Sequence, residues 1–219
     1  MDWLEAFHNA AQNMNTVNSM KTRALAEDDA RARQEWEHFQ RLLQAEDPNA
    51  MNNYAYWLYH EGGNRELGME YFAKAAMKGQ ANSLASFLWF SLKIDEVDDA
   101  VTLYEACRKK LLPTDKDQLA NIDSNYALCI LASGGKSEEA LALWATHRAK
   151  TKHPECHFFP VVLAHKANDF QLRDSLAANV SNQIWKEMKD LMLEQQMTSK
   201  GWFKNWCKDS YKMISEMGR

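Results

Sequence analysis

The sequence contains little glycine and proline, the two residues that most often interrupt a helix. Only 8 Gly and 4 Pro occur among its 219 residues. Runs of Val, Ile and Thr are also scarce, although these residues are enriched in β-strands. The two absences argue against a sheet and predict an all-helical chain.

Closely spaced cysteines are absent as well. The 4 cysteines lie far apart and form no Cys-x-x-Cys pair, which excludes the usual zinc-finger spacing. This pattern favours reduced, buried thiols. His153, Cys156 and His157 form one short cluster of residue types that bind zinc, but a closed zinc site needs four donors and no second tight pair exists. A capping or surface role for the histidines is the simpler interpretation, so we predict no metal and no cofactor.

The sequence also lacks the motifs of known catalytic machinery. It has no Gly-rich phosphate loop, no Gly-x-Ser-x-Gly and no His-Glu-x-x-His. Its carboxylates lie in mixed-charge runs that are typical of solvated helix faces. We therefore predict no catalytic residues and a protein that is not an enzyme.

Long apolar runs are missing too. No window approaches the roughly 18 uninterrupted apolar residues of a transmembrane helix. The N-terminus has neither the basic start nor the apolar core of a secretory signal. The sequence thus predicts no membrane span and a cytoplasmic location.

What the sequence does contain is helical periodicity, which divides it into three parts. Residues 1–46 carry two amphipathic stripes and predict two helices with a break near residues 15–19. Residues 47–178 read as helical hairpins, beginning at the Asp47-Pro48 cap. Residues 179–219 predict two further amphipathic helices that cap the hairpins. We expect the whole chain, 1–219, to form a single helical domain.

Three of the predicted hairpins share a pattern in their second helix. A small residue is followed four positions later by a large aromatic one. The three pairs are Gly68 with Phe72, Ala100 with Tyr104, and Ala140 with Trp144. The spacing between successive pairs is 32 and then 40 residues, and hairpins of about this length are the unit of tetratricopeptide arrays. We predict that the three aromatic side chains are buried.

The second hairpin follows the first through an aromatic residue, Lys-Ala-Ala and a glycine, in the stretch from Tyr71 to Gly79. This junction and the small-then-aromatic pattern resemble the Sel1-like subclass of tetratricopeptide repeats. The resemblance implies an α-solenoid of antiparallel helical hairpins with atypical helices at both ends. It also implies a concave groove, lined by the first helix of each hairpin, that binds a partner protein.

Carrying the family's groove positions over to this chain selects a mixed apolar and polar set. The selected residues are Asn53, Trp57, His60, Trp89, Lys93, Asn125 and, from the fourth hairpin, His165 and Lys166. Such a mixture suits an extended or helical peptide. Packing of Trp57 and Trp89 in the core is the alternative. Asn53 and Trp57 replace the residues of the family's carboxylate clamp, which argues against a receptor for chaperone tails.

The predicted function is therefore that of a non-catalytic scaffold, a dedicated chaperone or adaptor for one protein partner.

A second surface supports an alternative. Four lysines spaced by four form one strip along the final predicted helix, namely Lys200, Lys204, Lys208 and Lys212. We call this set the lysine strip. It could bind nucleic acid or an anionic membrane surface, although a net charge of −4 argues against a general nucleic-acid binder. A structural homo-oligomer is the third alternative.

Overall fold

The computed structural model describes residues 17, 19, 21, 22, 30–112, 114–151 and 153–217. Within these residues the chain is all-helical and contains no strand, as predicted. The helices are α1 (Ala30–Gln44), α2 (Pro48–His60), α3 (Arg65–Met77), α4 (Ala81–Ile94), α5 (Asp98–Cys107), α6 (Lys116–Ala132), α7 (Ser137–Arg148), α8 (Pro154–Lys166), α9 (Phe170–Ala177), α10 (Asn182–Thr198) and α11 (Gly201–Glu216). A short 3-10 turn, Arg108–Lys110, follows α5.

The N-terminal part of the chain is described only in pieces. The first predicted stripe, at residues 3–11, lies outside the described residues. Of the predicted break at residues 15–19, only residues 17 and 19 are described, and both are helical. The second stripe is the buried side of α1, where Phe39 is buried.

Local chemistry fixes the ends of several helices. The Asp47 carboxylate accepts hydrogen bonds from the backbone N–H groups of Asn49 and Ala50, at 3.0 and 2.9 Å. It thereby satisfies two of the donors that a helix start leaves unpaired. Gly79 follows α3 at φ +89°, and a Cβ there would lie 2.8 Å from the Lys110 carbonyl oxygen. Only glycine fits both conditions.

The chain divides into two compact units, residues 1–87 with 105–113, and residues 88–104 with 114–219. The boundary passes through α4 and α5 rather than between helices. In the first unit, α2 and α3 pack as a hairpin. In the second, α6 packs with α7, α8 with α9, and α10 with α11. The single domain with parts at 1–46, 47–178 and 179–219 stays a prediction.

The small and aromatic positions of the hairpins are buried, as predicted. Phe72, Tyr104 and Trp144 are all shielded from solvent, and so are Gly68, Ala100 and Ala140. Trp144 is fully buried, and its indole N–H donates to Ser124 Oγ at 2.9 Å. This bond spares the indole the cost of an unpaired buried donor.

The core of the second unit contains charged groups as well as apolar ones. Asp123 is buried and accepts a hydrogen bond from the Tyr104 hydroxyl at 2.9 Å. Its other carboxylate oxygen lies 2.7 Å from His147 Nε2. Glu155 is buried nearby on α8, and burial raises the pKa of its carboxyl to about 7. Three helices are thus joined by polar contacts inside an apolar core.

Candidate partner-binding surface

The predicted groove residues of the first unit lie on one side of α2, at helical spacing. Asn53 and Trp57 are half-buried, and His60 is exposed. The His60 ring stacks near Tyr56, with 6.3 Å between ring centroids. Of the three predicted residues on α2, His60 at the end of the helix is the exposed one.

Trp57 has structural contacts in addition to its exposed edge. It packs against the cluster formed by Val17, Phe39 and Ala50. Its ring also stacks on Tyr54 at 5.6 Å. The Lys21 ammonium lies 4.6 Å from the indole centroid, within the range of a cation–π interaction. Trp57 thus makes the kind of packing contacts that its alternative interpretation, as a core residue, predicts.

In the second unit, three predicted groove residues contact α11. The Trp89 ring meets Phe203 edge to face, with 5.1 Å between centroids. The Lys93 carbonyl accepts a hydrogen bond from the Lys200 N–H at 3.0 Å. On α8, the Lys166 ammonium forms an ion pair with Asp209 and lies 5.5 Å from the Trp206 ring. The side of α4 and α8 that was predicted to receive a partner therefore holds a helix of the chain itself.

The placement of α11 follows from its sequence pattern. Its apolar residues face inward, and the largest buried ones are Phe203, Trp206, Met213 and Ile214. Trp206 meets Phe159 of α8 edge to face, with 6.4 Å between ring centroids. All members of the lysine strip are exposed on the other side. The predicted two-sided helix is confirmed, with the lysines on its solvent side.

Asp95 anchors the beginning of α11. Its carboxylate accepts a hydrogen bond from the Trp202 N–H at 3.0 Å, which caps a helix that begins more than a hundred residues later. Gly201, at φ +50°, makes this approach feasible because a Cβ there would overlap the Asp95 carboxylate. A side-chain cap and the helix dipole both favour a carboxylate at this position.

The remaining predicted groove residues lie elsewhere. Asn125 is buried within α6, where its Nδ2 donates to Asn121 Oδ1 at 3.2 Å. His165 is half-buried at the end of α8, with Phe170 at 6.0 Å between ring centroids. Since the α2 residues belong to one unit and the α4 and α8 residues to the other, a common wall formed by all of them stays a prediction.

Sequence reasoning did not identify the residues that complete this surface. Neither Asp95 nor Asp209 was predicted to belong to a binding surface. Phe203 and Trp206 were recognised as the apolar side of a capping helix. A local pattern shows that α11 must bury one side, but it does not show which helix receives it.

The histidine cluster at the start of α8 corrects one expectation. His153 occupies the N-cap position, but its side chain is buried and does not cap the helix. His157 Nε2 lies 3.2 Å from the Thr151 carbonyl oxygen. Within the described ranges, the structure contains no group of three His, Cys, Asp or Glu side chains arranged to hold a metal ion. Over the same residues, no helix has the length and apolarity needed to cross a bilayer.

Comparison with known proteins gives no relative on which to rest an assignment. The chain matches no protein-family model, no curated protein and no solved structure. Its function therefore has to be argued from its own residues.

Proposed function

We propose that this chain is a non-catalytic helical-repeat scaffold of the tetratricopeptide or Sel1-like type, and that it binds a helix or peptide of a partner protein. The binding surface is the concave groove that the resemblance implies, lined by the first helices of the hairpins. A dedicated chaperone or adaptor in the cytoplasm is the role that such a scaffold serves.

One observation carries the proposal. Trp89, Lys93 and Lys166, selected as partner-binding positions, contact an amphipathic helix in the folded chain, namely α11. Trp89 packs edge to face with Phe203, the Lys93 carbonyl accepts from Lys200 at the N-cap of α11, and Lys166 pairs with Asp209. The apolar side of α11 is the kind of surface that a helix-binding groove receives. The buried small and aromatic positions of α3, α5 and α7 support the repeat pattern.

The test compares two surface variants of the full chain for binding to a partner purified from source cells. The first changes Asn53 and His60 to Ala. Trp57 is left unchanged because it also packs against the apolar cluster that includes Phe39, and Lys93 is left unchanged because it lies beside the start of α11. The second changes the four members of the lysine strip to Gln. We expect the first variant to lose roughly tenfold or more in affinity and the second to bind nearly as the native chain does.

Unchanged circular dichroism and melting temperature would confirm that both variants fold. Binding that survives the α2 variant but vanishes in the lysine variant would contradict the proposal. It would favour the alternative, a nucleic-acid or anionic membrane binder, for which the exposure of all four members of the lysine strip is the supporting observation. That alternative also requires a steep loss of affinity with salt, because phosphate-bound counterions are released.

A further inference from the structure

We propose that the side of α4 and α8 covered by α11 is an exchangeable helix-binding surface, and that its external partner is an amphipathic helix that competes with α11. This inference rests on the proposed function and names the partner's chemistry. The partner presents two aromatic residues three positions apart, followed by an acid three positions later, as Phe203, Trp206 and Asp209 do.

The first argument is the kind of contact at the edges of α11. Its two anchoring carboxylates are solvent-exposed, Asp95 at the helix start and Asp209 at the ion pair. An exposed ion pair such as that of Asp209 contributes about 0 to 1 kcal/mol, and a side-chain cap such as Asp95 contributes about 0.5 to 2 kcal/mol. The edges of α11 are therefore held by contacts that solvent can replace at small cost.

The second argument concerns polar atoms that α11 leaves unsatisfied. The Trp206 indole Nε1 is buried and has no hydrogen-bond partner among the described residues. The same holds for the Ser199 hydroxyl in the link between α10 and α11. A buried donor without an acceptor costs free energy that release to water recovers. The closed arrangement thus carries a local penalty at the helix that would have to move.

The buried apolar side of α11 opposes its displacement, because it favours the arrangement in which α11 covers α4 and α8. Because α11 is tethered, an external helix competes against an effective concentration on the order of millimolar. A free helix of equal affinity therefore displaces it only when supplied at similar concentration or when it binds better. By this proposal α11 gives way only to a helix that meets one of these conditions.

The chain contains a built-in reporter for this opening. Cys207 lies on the buried side of α11, whereas Cys129 and Cys156 lie in α6 and α8 of the same unit. Burial raises the pKa of all three thiols, so each is protonated and unreactive while it is enclosed. Release of α11 exposes Cys207 alone, but unfolding of the unit exposes all three.

The experiment measures thiol labelling of the native full chain, resolved by residue with mass spectrometry. We expect Cys207 to react at least tenfold faster than Cys129 and Cys156, because local opening is easier than unfolding. Asp95→Gly removes the cap without straining a residue at φ +67° and should accelerate Cys207 labelling roughly fivefold. Asp95→Asn is the matched control, since it keeps an acceptor oxygen and should change the rate little.

A second arm supplies the competitor. A peptide of residues 199–217 with serine at position 207, at about 1 mM, should raise Cys207 labelling of the native chain at least twofold. The same peptide with serine at positions 203 and 206 should have no effect. Equal labelling rates for the three thiols in the native chain and in Asp95→Gly, or no response to the peptide, would overturn the inference. Neither arm needs an external protein, so this outcome leaves partner binding at α2 intact.

Discussion

Both α2 and α4 carry predicted groove residues, but these residues have different neighbours on the two helices. On α2, Asn53 is half-buried and His60 is exposed, and Trp57 packs against an apolar cluster that includes Phe39 of α1. On α4, Trp89 and Lys93 lie against α11. The groove positions predicted on α2 and on α4 therefore differ in their surroundings, since only those on α4 are covered by α11. What distinguishes them is a helix that is distant in sequence.

The largest expected effect on stability follows from removing a tryptophan on the side that α11 covers. Trp206→Ala should cost about 3–5 kcal/mol in chemical denaturation, because the side chain is almost fully buried. Trp57→Ala should cost about half as much, because Trp57 is only half-buried. Trp206→Phe is the control and should cost less than Trp206→Ala, since it keeps an aromatic ring and the indole N–H that it removes has no acceptor among the described residues. Equal costs for the two alanine variants would contradict the comparison.

The second expected effect is a dependence of stability on pH in the second unit. Burial raises the pKa of the Glu155 carboxyl from 4.5 to about 7. A raised pKa means that the folded state favours the neutral acid, so its contribution is complete below pH 4.5 and is lost as the pH rises through 7. The loss amounts to about 3 kcal/mol.

Glu155→Gln, which is neutral at every pH, should remove this dependence. The exposed Glu66 of the first unit provides the matched control, Glu66→Gln, which should leave the profile as it is. Free energies of unfolding measured from pH 4 to pH 8 check both expectations. A native profile that rises across this range would show that Glu155 is not the controlling group.

The third expected effect is at the beginning of α11. Gly201→Ala should destabilise the chain by about 1–2 kcal/mol, because alanine is strained at φ +50° and its Cβ would overlap the Asp95 carboxylate. The same substitution at Gly63, which also has positive φ but no atom within 4 Å of an added Cβ, separates strain from overlap. We expect Gly63→Ala to cost less in thermal unfolding. A larger cost at Gly63 would argue against the close approach.

The smallest expected effect concerns the ion pair on the covered side. Lys166 and Asp209 are 35% and 52% exposed in their side chains, so Asp209→Asn should change the free energy of unfolding by less than about 1 kcal/mol. The difference from the native chain should shrink in high salt, because screening weakens exposed pairs. A larger or salt-independent difference would indicate that Asp209 has a structural role beyond the pair.

Much of the local structure was predictable because its causes are local. The Asp47-Pro48 cap, the glycine at position 79 and the amphipathic pattern of α11 each depend on neighbouring residues and appear as expected. The burial of Trp144 followed from a repeat pattern. The covering of α4 was not predictable, because it depends on Asp95 and Trp202, which are 107 residues apart. Periodicity identifies the buried side of a helix but not the surface that it meets.

The long separation between Asp95 and Trp202 also sets an order of events during synthesis. At about 5–20 residues per second, a separation of 107 residues takes roughly 5 to 20 seconds to translate. Throughout that interval Trp89 has already been made, but Phe203 has not. A nascent chain therefore carries an uncovered aromatic site that the finished protein closes. Ribosome-associated factors, or a partner that is translated at the same time, would meet this site before α11 exists to compete for it.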